Sequence, residues 1–158
     1  MIITMDKDSI IKKINEIEEK NWKDQMNSKT SLTLYRTHKN KIEEIKWFKN
    51  GYKFNILMRA RANALGLNWR KSDPAEKMCD LCLLNEETLK HFVLECPKLQ
   101  NSRNRFLELQ LPRIENENKI LNKLLMFETN SQLNPNTCAD ILLHIWQCRN
   151  NLIKETSA

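Results

Sequence analysis

Four residues constrain this 158-residue chain more than any other feature. Cys79, Cys82, His91 and Cys96 are spaced Cys-x2-Cys-x8-His-x4-Cys. Two cysteines separated by two residues can point at one ion from a single tight turn. The segment Asn85 to His91 reads as the start of a short helix. Asn85 is its expected cap, and Glu86 and Glu87 suit the positive end of the helix. His91 and Cys96 are five apart and do not align on a regular helix. Pro97 biases Cys96 out of the α region, so the helix should end there and return the thiol to the ion. Phe92, Val93 and Leu94 supply an apolar flank. Three thiolates and one imidazole make a closed tetrahedral set, which suits one structural Zn²⁺ and leaves no open position for an activated water.

The remaining composition narrows the fold class. Two glycines and four prolines argue against a Gly-rich phosphate loop, a dinucleotide fold or a turn-dense β-sandwich. Apolar residues make up 41% of the chain, enough for one modest core. No apolar run approaches the ~18 residues of a membrane span. The start, MIITMDKDSI, does not read as a secretory signal, having no basic region followed by a long apolar run. Five cysteines without such a signal suit a reducing compartment, so the expected location is intracellular, in nucleus or cytoplasm.

Helical periodicity recurs along the chain. Ile10, Ile11, Ile14 and Ile17 form a stripe that Trp22 and Met26 extend, with Asp8 or Ser9 as the cap. Residues 39–50 read as a second helix with Ile42, Ile45, Trp47 and Phe48 as its apolar side and Gly51 at its end. Helical patterns follow over 52–66, 98–110 and 117–127. A last amphipathic helix over 137–154 carries Ile141, Leu142, Ile145, Trp146 and Ile153 and is capped by Asn136 or Thr137. Cys138 and Cys148 lie ten apart on it, roughly 80° out of phase, and read as small buried apolar residues. His144 and Cys148 are four apart, but nothing nearby in sequence completes a ligand set. The expected fold is mainly α, a small helical domain over 1–158 organised around one Cys-Cys-His-Cys zinc knuckle. Its parts are N-terminal helices over 1–71, the knuckle over 72–97 and C-terminal helices over 98–158.

Charge is uneven. The net charge is +6, yet residues 36–71 carry ten basic and two acidic side chains, and residues 72–97 carry two basic and six acidic. A basic block beside an acidic one is an electrostatic footprint for a polyanion, most simply nucleic acid. The acidic knuckle is expected to organise the fold, leaving phosphate contacts to the basic stretch. Arg59 and Arg61 are two apart and cannot face one direction. One can reach a phosphate while the other pairs with an acid or lies along the core. Trp47, Tyr52 and Trp69 interleave with the basic residues, and Trp69, beside Arg70, is the best candidate for stacking on a base.

The stretch from Arg59 to Arg105 resembles the C-terminal zinc-binding segment of non-LTR (LINE-type) retrotransposon reverse transcriptases. The matching features are Arg59-Ala60-Arg61-Ala62-Asn63-Ala64-Leu65, Cys79-Asp80-Leu81-Cys82, Glu87-Thr88-Leu89-Lys90-His91-Phe92, Cys96-Pro97 and Arg103. Trp22, Ser31-Leu32…Tyr35 and Ile145-Trp146-x2-Arg149 resemble the flanks of that domain more loosely. The resemblance implies Cys79, Cys82, His91 and Cys96 as zinc ligands. It implies RNA or DNA as the partner, held by Arg59, Arg61, Arg70, Lys71, Arg103 and Arg105, with Trp69 beside them. No paired polymerase aspartates or endonuclease accompany it, so the chain reads as a stand-alone or domesticated fragment.

The leading expectation is therefore a zinc-stabilised nucleic-acid-binding module with no catalytic activity, no small-molecule substrate and no membrane contact. The alternative is a domesticated protein-interaction or regulatory module on the same fold. A hydrolytic zinc enzyme is disfavoured by the closed ligand set.

Overall fold

A computed structural model describes residues 6–107, 116–128 and 133–156, with side chains omitted at 105–107. The described residues are mainly helical, as the periodicity predicts. They contain no strand, only an isolated antiparallel bridge between Met78 and Glu86. The chain divides into two compact units, Met1–Lys46 and Trp47–Ala158. That division falls inside the basic stretch, away from the 71/72 boundary drawn from sequence.

In the first unit, α1 spans Lys7–Ser28. Its cap is Asp6 rather than Asp8 or Ser9, and its carboxylate accepts from the Ser9 N–H and hydroxyl at 2.9 and 2.7 Å. The expected single stripe splits in two. On a 3.6-residue turn Ile10, Ile14 and Ile17 lie within about 60° of one another, and Met26 sits about 150° around the helix. Met26 is buried, whereas Ile10, Ile11, Ile14 and Ile17 are 45–59% exposed. A 3₁₀ turn, Thr30–Leu32, leads into the short helix α2, Thr33–His38. Arg36 donates to the carbonyls of Met26 and Asn27 at 3.1 and 3.0 Å and so caps the end of α1.

The expected helix over 39–50 does not form. Two adjacent aromatics explain its ending: Trp47 packs on the Arg61 guanidinium and Phe48 meets Phe54 edge-on. Neighbours in a helix point about 100° apart and do not turn to one face, so irregular chain serves this docking better. Gly51, expected to end that helix, instead begins the next one, with φ of +151°.

The second unit contains α3 (Tyr52–Arg61), α4 (Gln100–Leu107), α5 (Glu117–Leu124) and α6 (Pro135–Thr156). The core is built chiefly by α3 against α6. α3 buries Phe54, Ile56, Leu57 and Ala60 and α6 buries Cys138, Ile141, Leu142 and Ile145, with Leu99, Leu121, Leu124 and Leu125 among the other buried side chains. Each buried Leu or Ile contributes roughly 1.5–3 kcal/mol of transfer free energy. The cap of α6 is Asn134, whose side chain accepts from the Thr137 N–H at 2.9 Å, and Pro135 occupies the first helical position.

With glycine so scarce, two helices end on other residues. α3 closes with the Asn63 N–H on the Ala60 carbonyl and the Ala64 N–H on the Arg59 carbonyl, with Asn63 at φ +50°. α5 closes in the same way, with Met126 on Lys123, Phe127 on Asn122, and Met126 at φ +56°. Methionine is strained in that region. Arg61 steadies it: its guanidinium donates to the Leu125 and Met126 carbonyls and stacks 4.4 Å above the Phe127 ring.

Candidate metal centre

The knuckle is shaped by its backbone before any ion is considered. The Cys79 N–H bonds the Asn85 carbonyl at 2.9 Å, the Leu83 N–H bonds the Cys79 carbonyl at 2.9 Å, and the Glu87 N–H bonds the Lys77 carbonyl at 2.8 Å. This turn brings Cys79 and Cys82 to one side. Leu83 takes φ +56° to close it. The following helix starts at Leu89, not at residue 86. Its cap is Thr88, whose hydroxyl accepts from the His91 N–H at 3.1 Å. Asn85 and Glu86 belong to the turn, and Glu87 is buried, so the helix-end roles expected for them are corrected.

A wide turn resolves the five-residue gap. Five residues on an α-helix place two side chains about 140° apart. His91–Glu95 instead form a π-helical turn, with the Cys96 N–H on the His91 carbonyl at 2.7 Å. Cys96 then leaves the helix at ψ +118°, ahead of Pro97, as expected.

The four side chains converge. Their ligand atoms all lie within 4.8 Å of one another, close enough to hold a metal ion. Cys79 and Cys96 Sγ are 3.8 Å apart, and Cys82 Sγ is 3.3 Å from His91 Nε2. Cys79, His91 and Cys96 are buried and Cys82 is partly exposed at the rim. Burial pushes the Cys79 thiol up to about 12 and raises Cys96 as well. Burial acts on Cys82 in the same direction, but the Leu84 and Asn85 N–H groups outweigh it and hold that thiol below its ordinary value. Burial lowers His91, against the pull of the Glu95 carboxylate. Buried thiols are costly to ionise alone, and a divalent cation supplies the missing counter-charge. His91 fits the same picture, because its Nδ1 is buried without a hydrogen-bond partner while Nε2 faces the thiols. Among the described residues this is the one group of three or more potential ligands within reach of each other.

Behind the ligands lies a buried ion pair absent from the sequence reading. Glu87, 1% exposed, accepts from Arg149 at 2.6 and 2.7 Å through both oxygens. Its Oε2 also accepts from the Asn68 N–H at 2.9 Å. The Asn68 amide donates to the Met78 carbonyl at 2.8 Å. Trp146 lies under the Arg149 guanidinium and meets Phe92 edge-on at 5.9 Å. The knuckle, the 68–70 turn and α6 are thus tied at one point. A signal did exist: Glu87 and Arg149 are both within segments that carry the family resemblance, but nothing in their spacing pairs residues 62 apart.

The candidate phosphate-binding residues separate. Arg59, Arg70 and Lys71 are exposed, and Arg59 also bonds the Ala64 carbonyl at 3.1 Å. Trp69 is half-buried. Arg61 is 1% exposed and Arg103 is 3% exposed, so neither offers its charge to a surface ligand, and both assignments are corrected. Arg61 caps α5, as described above. Arg103 donates to the Cys96 carbonyl at 2.5 Å and to Gln100 at 2.7 Å. Arg105 lies in α4, and its side chain is outside the described residues. Cys138 is buried, its thiol pushed up to about 12, and Cys148 is half-buried, 3.5 Å from His144. No helix among the described residues is long and apolar enough to cross a membrane.

No protein-family model, curated protein or solved structure matches this chain.

Proposed function

We propose that this chain is a zinc-stabilised helical module that binds nucleic acid. In this reading it is a domain of the kind that ends non-LTR retrotransposon reverse transcriptases, and it has no catalytic activity of its own. The observation that carries the reading is a closed Cys₃His set next to a stretch of net charge +8 that leaves Arg59, Arg70 and Lys71 exposed. The donor set suits Zn²⁺ at four-coordinate geometry, and a filled tetrahedron makes the ion structural. The Glu87–Arg149 pair and the Asn68 bonds join the knuckle to the turn that bears Trp69, Arg70 and Lys71. In this way zinc supports the basic segment without touching the ligand.

Phosphate contacts from a few lysines and arginines make affinity fall steeply with salt. The test is fluorescence anisotropy of the zinc-loaded chain with single-stranded RNA, single-stranded DNA and duplex DNA across a salt series. Salt-sensitive binding that is lost when Arg59, Arg70 and Lys71 are all changed to Glu supports the reading. Absence of binding at low salt, or equal binding by the triple variant, overturns it.

One observation favours a second reading, a protein-interaction module. Ile10, Ile14 and Ile17 form an exposed stripe on α1, rotated away from the face that buries Met26. A stoichiometric partner that nuclease leaves bound and Ile14→Asp releases would favour that reading over the first.

A further inference from the structure

His91 has two ring nitrogens with different surroundings. Nε2 faces the thiols, 3.3 Å from Cys82 Sγ. A metal bound there leaves the ring proton on Nδ1. Nδ1 is buried and has no hydrogen-bond partner. Histidines that hold a metal almost always donate this second N–H to a carboxylate, a carbonyl or water, which fixes the ring and raises its basicity as a ligand. The site as folded therefore lacks one acceptor.

A carboxylate stands beside it. Glu95 Oε2 is 3.8 Å from His91 Nδ1, about 0.6 Å beyond hydrogen-bond range. Glu95 lies four residues along the same π-turn, and its side chain is one-third exposed. Its other oxygen is held by Lys90 at 2.7 Å, and Lys90 is shared with Glu117 at 2.7 Å. A second buried donor bears on the same group. Arg103 interacts electrostatically with Glu95, Cys96 and His91, and its Nη1 is also buried without a partner. A buried imidazole N–H short of an acceptor and a carboxylate a small displacement from it describe an arrangement that metal binding would complete.

We propose that Glu95 is the positioning residue of the metal centre, its carboxylate accepting a hydrogen bond from the Nδ1–H of His91 and holding the imidazole toward the ion. This rests on the zinc reading above. Glu95 touches no metal itself. It acts through His91, so its removal leaves the four ligands in place and weakens their hold.

The experiment measures Zn²⁺ affinity of the full chain by competition with a chromophoric chelator, for wild type, Glu95→Ala, Glu95→Gln and Lys90→Ala. Loss of such an outer acceptor typically costs 10–100-fold in metal affinity. Glu95→Ala is expected to fall in that range, and Glu95→Gln, which keeps an accepting oxygen, to recover most of the loss. Lys90→Ala removes the ion pair and spares the acceptor, so it should stay near wild type. Nitrogen-15 NMR of the zinc-loaded chain supplies a readout that a merely structural role would not move. A slowly exchanging Nδ1 proton on His91 is expected in wild type and in Glu95→Gln, and not in Glu95→Ala. Wild-type affinity in Glu95→Ala, or the same Nδ1 proton in all three, overturns the proposal while the zinc reading stands. A wild-type chain that takes up no Zn²⁺ removes the zinc reading and this proposal with it.

Discussion

The helices α1 and α6 are both 22 residues long and both amphipathic in sequence, yet they end in opposite circumstances. α1 buries one residue, Met26. α6 buries seven, from Cys138 to Arg149, against α3 and the knuckle. Periodicity therefore establishes that a helix forms and which residues share a face. It does not establish whether that face is covered. α6 is covered because it meets α3 and because Glu87 draws Arg149 inward. α1 is held by Asp6 at its start and Arg36 at its end, with its isoleucine stripe left open to solvent.

The largest expected effect falls on the α6 side. Cys96→Ser should lose the metal and unfold at least residues 72–107, because small metal sites supply folding energy directly. Metal analysis with circular dichroism checks this, and a variant with full metal and unchanged melting would break the ligand assignment. Next in size is Glu87→Ala, which strands Arg149 in the interior. Removing one partner of a buried pair costs about 3–5 kcal/mol, measurable by urea denaturation. Leu142→Ala in α6 should cost about 2–5 kcal/mol, while Ile14→Ala in α1 should stay within about 0.5 kcal/mol. Equal losses in the two helices would erase the contrast between them.

The smallest effects separate the helices by pH. Burial raises the Cys79 and Cys96 thiols, so the folded metal-free chain binds those protons more tightly than the unfolded chain. Their contribution is complete below the ordinary thiol value of about 8.5 and is lost as pH rises above it, for Cys79 toward about 12. Asp6 has the opposite sign. The Ser9 hydroxyl and N–H hold its carboxyl below the ordinary range, so its support of α1 is present above that range and is lost in acid. Alkaline loosening localised to the knuckle and acid fraying localised to the start of α1, both followed by amide exchange, would sharpen the comparison.

The sequence was most legible where covalent spacing dictates geometry. Cys-x2-Cys and the Cys96-Pro97 break reappear in the fold, and the helical patterns over 52–66, 117–127 and 137–154 appear as helices, the first two ending earlier, at Arg61 and Leu124. It was least legible where a distant partner decides. The spacing of Arg59 and Arg61 already required the two to diverge, but Arg61 turns inward because Trp47, Phe127 and the glycine-free end of α5 accept it. Arg103 is drawn in by the Cys96 carbonyl just as the knuckle chain leaves its helix. Residues 39–50 have helical composition, and the docking of Trp47 and Phe48 prevails over it at their end. In each case local chemistry offered two outcomes and tertiary contact selected one.

The central claim is that one metal ion on Cys79, Cys82, His91 and Cys96 organises the larger unit. The most direct measurement is a Zn²⁺ titration of the chelator-stripped chain, read by bound metal and melting temperature together. The account predicts one equivalent bound and a melting temperature that rises to a plateau at that ratio. A stripped chain that binds no zinc, or melts at the same temperature with and without it, would contradict the claim.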